Sequence, residues 1–361
     1  MSGVGGIAQH VRRLARGLRE AGHDVRLISI ETLGIKLRKG LANPCYSVLA
    51  ALKSLGEEFD IVHGHNLPSA PAVKLARAHA RVLTLHGVYS KQIRLLYGGM
   101  LGSMAELFER WILRGMDAVT AVSLEAVKYY RGLGIKAVHI PNAIDLSEMP
   151  SEAERVSEPQ ITYLGRLSKE KGVDMLIEAA LMGLRGIVVA GDGPMRPLVE
   201  KAAQKGLLKF LGPLPRTKAL KILAGSDVAV LPSREEGVST VLLEAMALRV
   251  PIVATRVGGT IEILRDNKDA LLVSPNPYKI KEAITKLLTQ VELAKTLSIN
   301  AYQRLISSYE WDIVQKKYLS LYKQLLELII ANEFGTKTYC REFYSPKFLE
   351  VINSSTIKKS R

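Results

Sequence analysis

Short apolar runs, each closing in a glycine-rich or polar turn and each followed by an amphipathic stretch, recur along this 361-residue sequence. That alternation is the pattern of parallel sheets wrapped by helices. In the first half the strand-like runs are VRLISI (Val25 to Ile30), DIVHG (from Asp60), VLTLHG (from Val82), DAVTAVS (from Asp117) and AVHIPN (from Ala137). A helix from about Ile7 to Ala21 precedes them. Ile7, Val11, Leu14 and Leu18 fall on one of its faces, and Gly22 stands where a helix stop belongs. PSEAERVSEP, Pro150 to Pro159, has little apolar content and a proline at each end, so it reads as a linker. After it the same grammar restarts in QITYLGRL, GIVVAGDGP, KFLGPLP, DVAVLPS, PIVATRVGG and ALLVSP. The length suits two cores better than one. An α/β protein of two doubly wound domains is expected: residues 1–149, a linker at 150–159, and residues 160–308. A long amphipathic helix at 309–330 follows, and partial disorder is expected over the tail 331–361.

Composition narrows what such a fold serves. The hydrophobic fraction of 47% and charged fraction of 24% are those of a globular protein, and no apolar run approaches a bilayer span. The N-terminus meets Arg12, Arg13 and Arg16 with no apolar core ahead of them, so a cytoplasmic protein without a signal peptide is expected. Cys45 and Cys340 lack metal-type spacing and are expected to stay reduced. The net charge of +15 either solubilises the surface or attracts something anionic: a nucleotide, a lipid phosphate or an acidic leaflet. Nucleic acid is not an expected partner. No zinc-finger spacing, RNP motif or helix-turn-helix pattern accompanies the charge, and aromatics are only 6%.

Ligands of open parallel sheets bind beyond the carboxyl ends of the strands, so the residues that follow each strand carry most information. In SREEGVSTVLLEAMA, Pro232 and Gly237 mark a loop after DVAVL, and Ser239 or Thr240 is a natural helix cap. The N–H groups from about Val238 to Thr240 would face an anion there, with Glu236 just before the helix and Glu244 one turn into it. Taken singly, these are a solvated loop acid and a surface helix acid. GRLSKEKGVD changes that balance by placing Arg166 and Lys171 directly after QITYL, between Gly165 and Gly172. Two cations at the mouth of a parallel sheet suit a diphosphate. AGDGP, residues 190–194, is a further strand-to-helix turn and weak evidence alone.

In combination, GRLSKEKGVD, AGDGP and PSREEGVSTVLLEAMALRVPIVATRVGG resemble the donor-binding half of glycosyltransferase family 4 (glycosyl transferases group 1). That family's two glutamates separated by seven residues are matched by Glu236 and Glu244. The resemblance extends to about Ile330 and implies a retaining enzyme of the GT-B fold, two Rossmann-like domains facing a central cleft. It implies that Arg166 and Lys171 bind the donor diphosphate, and that the backbone of Gly237, Val238, Ser239 and Thr240 caps phosphate oxygens. Glu244 would hold the ribose and Glu236 the transferred sugar. In SGVGG, Gly5 and Gly6 would let backbone approach donor phosphate and acceptor, and His86, ending LTLHG, would face the donor sugar. AVS (Ala121 to Ser123) and IPNAID (Ile140 to Asp145) are further landmarks, the second with Ala143 where the family usually has glycine. The helix at 309–330 is implied to cross back to the acceptor-side domain, 1–149, from the donor-nucleotide domain. His63 and His65 lack a carboxylate or cysteine partner at ligand spacing, so packing is the better reading than metal.

The chemistry so implied moves a hexose from a UDP- or GDP-linked sugar to a hydroxyl of a glycan, lipid or small molecule. It needs no metal or other cofactor, since no Asp-x-Asp motif stands at a donor-site position. Arg166, Lys171 and the helix start would meet charge on the leaving diphosphate. Glu236 and His86 would orient the sugar while the acceptor enters on the face the diphosphate leaves. The alternatives are a non-catalytic sugar-nucleotide-binding protein, or another GT-B enzyme such as a sugar-nucleotide epimerase. Tyr89 to Gly115 mixes Lys91, Arg94, Arg110 and Arg114 with large apolar residues. It reads as a packed helical pair, or as an acceptor region touching the inner membrane face peripherally. Family members also open with an apolar strand before the glycine loop. Met1 here stands directly ahead of SGVGG, so the first strand of the N-terminal domain is absent. An upstream start is expected, with another segment in that place or an impaired domain as the alternatives.

Overall fold

A computed structural model describes residues 6–29, 32–34, 39–54 and 58–333. Gly5, Cys340 and the tail lie outside them. Among the described residues the first sheet holds four parallel strands in the order β1 (Glu58–His65), β2 (Arg77–Leu85), β3 (Ala118–Ala121) and β4 (Ala137–His139). Along β2 the side chains divide by period two. Ala80 and Val82 join a core with Leu14, Ile140, Trp311, Val314 and Tyr318, while Leu83 and Leu85 pack on the other face with Ile112, Val127 and Tyr130.

The second sheet has six parallel strands: β5 (Ile161–Leu164), β6 (Ile187–Ala190), β7 (Lys209–Phe210), β8 (Val228–Leu231), β9 (Ile252–Thr255) and β10 (Leu271–Val273). Their order is β10-β9-β8-β5-β6-β7, the double winding in which chain direction across the sheet reverses between β5 and β8. Strands β5, β6, β8 and β9 are buried at every residue, which is why they read as unbroken apolar runs rather than alternating ones. Helices Val173–Leu181 and Pro277–Thr289 cover one face and Thr240–Ala247 the other, while Val291–Ser308 joins the core on the first face through Ala294 and Leu297 and that on the second through Ala301 and Leu305.

The helix Trp311–Glu333 leaves the second sheet and packs on the first, with Trp311, Val314, Tyr318 and Tyr322 buried there. Its start is tied to the interdomain segment by paired backbone bonds, Ile144 N–H to Tyr309 O and Trp311 N–H to Ile144 O, both 2.9 Å.

One expected strand does not join a sheet. Val25 to Ser29 run irregularly after the helix Gly6–Glu20, and Ile30 is outside the described residues. A cavity of about 840 Å³ separates this segment from the edge of β1. It is walled by the consecutive residues 26–29 on one side and 61–65 on the other. Among the described residues Val25 to Ser29 pair with no strand, the one backbone bond being Leu33 N–H to Ser29 O at 3.0 Å, and strand propensity alone does not make a ladder.

Candidate functional site

At the reversal between β5 and β8 a crevice opens beyond the strand ends, where open α/β sheets take their ligands. After β5 the chain passes Gly165 and a 3-10 turn, Lys169–Lys171, and reaches Gly172 before the next helix. After β8 it runs through Pro232 to Ser239 before the helix Thr240–Ala247. The two loops are stitched together. Arg234 N–H donates to Glu170 O at 2.7 Å, and its guanidinium grips both Asp174 oxygens at 2.7 and 2.8 Å. Gly172 has φ 70°, and a Cβ there would lie 1.8 Å from Pro232 O, so only glycine permits this approach.

That stitching brings Lys171 Nζ to 2.6 Å from Glu236 Oε1, while Ser233 Oγ donates to Glu236 Oε2 at 2.9 Å. The Glu236 side chain is only 7% exposed. Behind it, Gly259 N–H donates to Glu236 O at 2.9 Å. Beside this pair, Ser239 makes no side-chain cap, so the first-turn N–H groups of Thr240–Ala247 are left for a ligand. Lys171, Glu236, Val238, Ser239 and Thr240 line a cavity of about 280 Å³.

His86 lines the same cavity from the first domain, at the end of β2. Its Nε2 is 3.2 Å from His65 Nδ1, and its backbone N–H donates to Asn66 Oδ1 at 2.9 Å. Burial, reinforced by His10 and His63, pushes the His86 pKa down to about 3. Burial likewise lowers His10 to about 4 and His63 to about 3. His63 bonds through both ring nitrogens, Nδ1 to the Tyr322 hydroxyl at 2.6 Å and Nε2 to Thr84 Oγ1 at 2.7 Å. His10, His63, His65 and His86 form a nest of neutral imidazoles under the cavity. Among the described residues no three His, Cys, Asp or Glu are placed to hold a metal.

Other singled-out residues stand apart from the cavity wall. Arg166 is exposed at its rim, with no ion-pair partner among the described residues. Glu244 is buried inside the helix and held by Arg216 at 3.1 Å, which also reaches Glu148 at 2.5 Å. Burial raises the Glu244 pKa and Arg216 opposes it. Gly237 does not line the cavity, and Gly6 opens the helix whose next residue, Ile7, does. The Asp192 loop only supports the site: Leu167 N–H donates to Asp192 O at 2.9 Å.

Three participants carried no readable signal of their own. Ser233 orients Glu236, and Arg216 compensates Glu244. Asn142 lines the cavity and donates from Nδ2 to Val238 O at 3.3 Å. Its Oδ1 is buried beside the His86 ring without a well-formed hydrogen bond. Its motif, IPNAID, marked the neighbourhood and not the contact.

A profile of Glycosyltransferase Family 4 matches residues 4–148, and one of Glycosyl transferases group 1 matches residues 146–304. A glycogen synthase of Mycobacterium tuberculosis is 27% identical over 88% of this chain and 91% of its own length. The sucrose-phosphate synthase of Thermosynechococcus elongatus superposes with a TM-score of 0.73 at 21% identity, covering 90% of this chain and 94% of that one. Anabaena HepE, solved in complex with UDP and glucose, gives 0.70 at 18% identity over 90% and 97%. The chain belongs to the GT-B glycosyltransferases related to family 4 and group 1, enzymes that use nucleotide-sugar donors.

Proposed function

We propose that the chain is a retaining, metal-independent hexosyltransferase whose donor diphosphate sits at the start of the helix Thr240–Ala247. The observation that carries this is the Lys171–Glu236 pair at 2.6 Å, facing an uncapped helix start and His86 across one cavity. A diphosphate at that helix start draws Lys171 to itself and releases a Glu236 oxygen for a sugar hydroxyl. Arg166, exposed next to the cavity-lining Gly165, adds a second cation to the leaving group. His86 stays neutral at physiological pH and offers a hydrogen bond without a charge. Glu236 is engaged by Lys171 and Ser233, which suits a sugar-orienting acceptor better than a free nucleophile. Same-face attack follows, with the acceptor hydroxyl passing its proton to a departing phosphate oxygen. Glu244 serves the ribose through an exchange with Arg216, and the acceptor is a hydroxyl on a glycan, lipid or small molecule. A thermal-shift panel of UDP- and GDP-sugars tests the reading: stabilisation by one nucleotide series supports it, and none with either overturns it.

A second observation favours work at a membrane surface. Helix Gly99–Leu113 buries Gly102, Ile112 and Leu113 against the first domain, yet its opposite face leaves Met100 78%, Met104 60%, Leu107 68% and Trp111 60% exposed. Lys74 Nζ sits 3.6 Å from the Trp111 ring, and Arg110 and Arg114 are exposed on the flank. A strip about 22 Å by 10 Å is far below the roughly 800 Å² per partner of a stable protein interface. An apolar strip with cations beside it fits an anionic leaflet. Co-sedimentation with anionic but not neutral vesicles is expected, and equal recovery in the supernatant with both sinks this part of the reading. Among the described residues no helix is long and apolar enough to cross a membrane.

A further inference from the structure

The helix Leu124–Gly132 belongs to the first domain, but its start is completed by the second. Ser123 Oγ accepts from Ala126 N–H at 3.1 Å, a cap from its own domain. The two remaining first-turn donors, Leu124 N–H and Glu125 N–H, point at Glu262, whose Oε2 and Oε1 accept them at 2.7 and 2.9 Å. A carboxylate on two free N–H groups at the positive end of a helix is a strong, oriented contact. Here it spans 138 residues of sequence and the cleft between the sheets.

Glu262 is also rigidly joined to the donor loop. Its helix, Thr260–Ile263, follows directly on Gly258 and Gly259. Cβ atoms at those two glycines would each lie 2.0 Å from a carbonyl oxygen, of Glu236 and Gly237 respectively, so the two backbones are in direct contact. On the other side, Arg304 and the Tyr309 hydroxyl donate to Glu262 O at 2.9 and 3.2 Å. Tyr309 in turn bonds Ile144 in the interdomain segment. Glu262 therefore touches the opposing domain and the chain crossing, while the two glycines just ahead of its helix touch the donor loop.

We propose that Glu262 is a positioning residue, the latch that holds the two domains closed over the donor loop. Opening returns Leu124 N–H, Glu125 N–H and the carboxylate to water, so the contact favours the closed arrangement alone. The proposal rests on the donor-site reading only for its link to the nucleotide.

The test compares Glu262→Ala, Glu262→Gln and Ser123→Ala in the full chain. Three readouts are taken: melting temperature, radius of gyration by small-angle scattering without nucleotide, and affinity for UDP and for GDP by calorimetry. Both alanine variants lose a helix cap and should melt a few degrees lower. Only Glu262→Ala should also expand the nucleotide-free protein and weaken nucleotide binding about five- to tenfold, with Glu262→Gln between it and the parent. Ser123→Ala should keep the parent's radius and affinity. A Glu262→Ala protein matching Ser123→Ala in both overturns the latch. Should the parent bind neither nucleotide, the donor-site reading fails, and the radius alone decides the latch.

Discussion

At the scale of single residues the site is a set of exchangeable pairs. Lys171 holds Glu236, Arg216 holds Glu244, and Asn142 leaves one buried acceptor beside His86. Each of these paired charges is thus compensated and none is stranded in the protein interior; under the proposed function a diphosphate and its sugar compete for them. Arg166→Ala and Lys171→Ala are each expected to lower turnover at least a hundredfold while melting within a few degrees of the parent; near-parental rates in both contradict their role. The histidine nest has a separate consequence. Unfolded histidines take up protons below pH ~6.5, whereas His10, His63 and His86 resist protonation down to about 4, 3 and 3. Stability is therefore full above that pH and is lost on acidification, by about 1.4 kcal/mol per pH unit for each such histidine. Melting temperatures measured from pH 7.5 to 4.5 should fall steeply below 6.5, and His63→Asn should flatten the fall. Lys171 and Glu236 were legible because the chemistry of each loop is local. Asn142, Arg216 and Glu262 were not, because their partners stand 96, 28 and 138 residues away and only packing joins them.

Among the elements, β5, β6, β8 and β9 were readable because burial on both faces demands unbroken apolar runs. Val25 to Ile30 carries the same composition, yet its described residues, Val25 to Ser29, join no sheet, since the ground between them and β1 is the 840 Å³ cavity. Composition reports fitness for a strand, not the presence of a neighbour. Gly99–Leu113 shows the converse limit. Apolar residues occur around most of its circumference, and sequence alone could not say which face the first domain covers. If the outer face meets an anionic leaflet, Leu107→Ser with Trp111→Ser should cut vesicle binding at least tenfold without lowering the melting temperature. Arg110→Glu with Arg114→Glu should do so only at low salt. Unchanged binding in both double variants removes this helix from the account.

For the whole molecule, the division into two parallel sheets came from the repeated grammar on either side of Pro150 to Pro159. The double winding then placed the crevice between β5 and β8. Closure depends on distant contacts that grammar does not encode: the Ile144–Tyr309–Trp311 bonds, the packing of Tyr318 and Tyr322 on the first sheet, and the Glu262 contact. Together they set His86 opposite Lys171 and Glu236. The central claim is metal-independent transfer at that junction. It is tested most directly by following nucleotide release from UDP- and GDP-sugars in the presence of EDTA, comparing the parent with Glu236→Ala. The account predicts release by the parent with one donor series, reduced at least a hundredfold in a Glu236→Ala protein that melts as the parent does. Equal rates in the two proteins, or release that stops when EDTA is added, would contradict it.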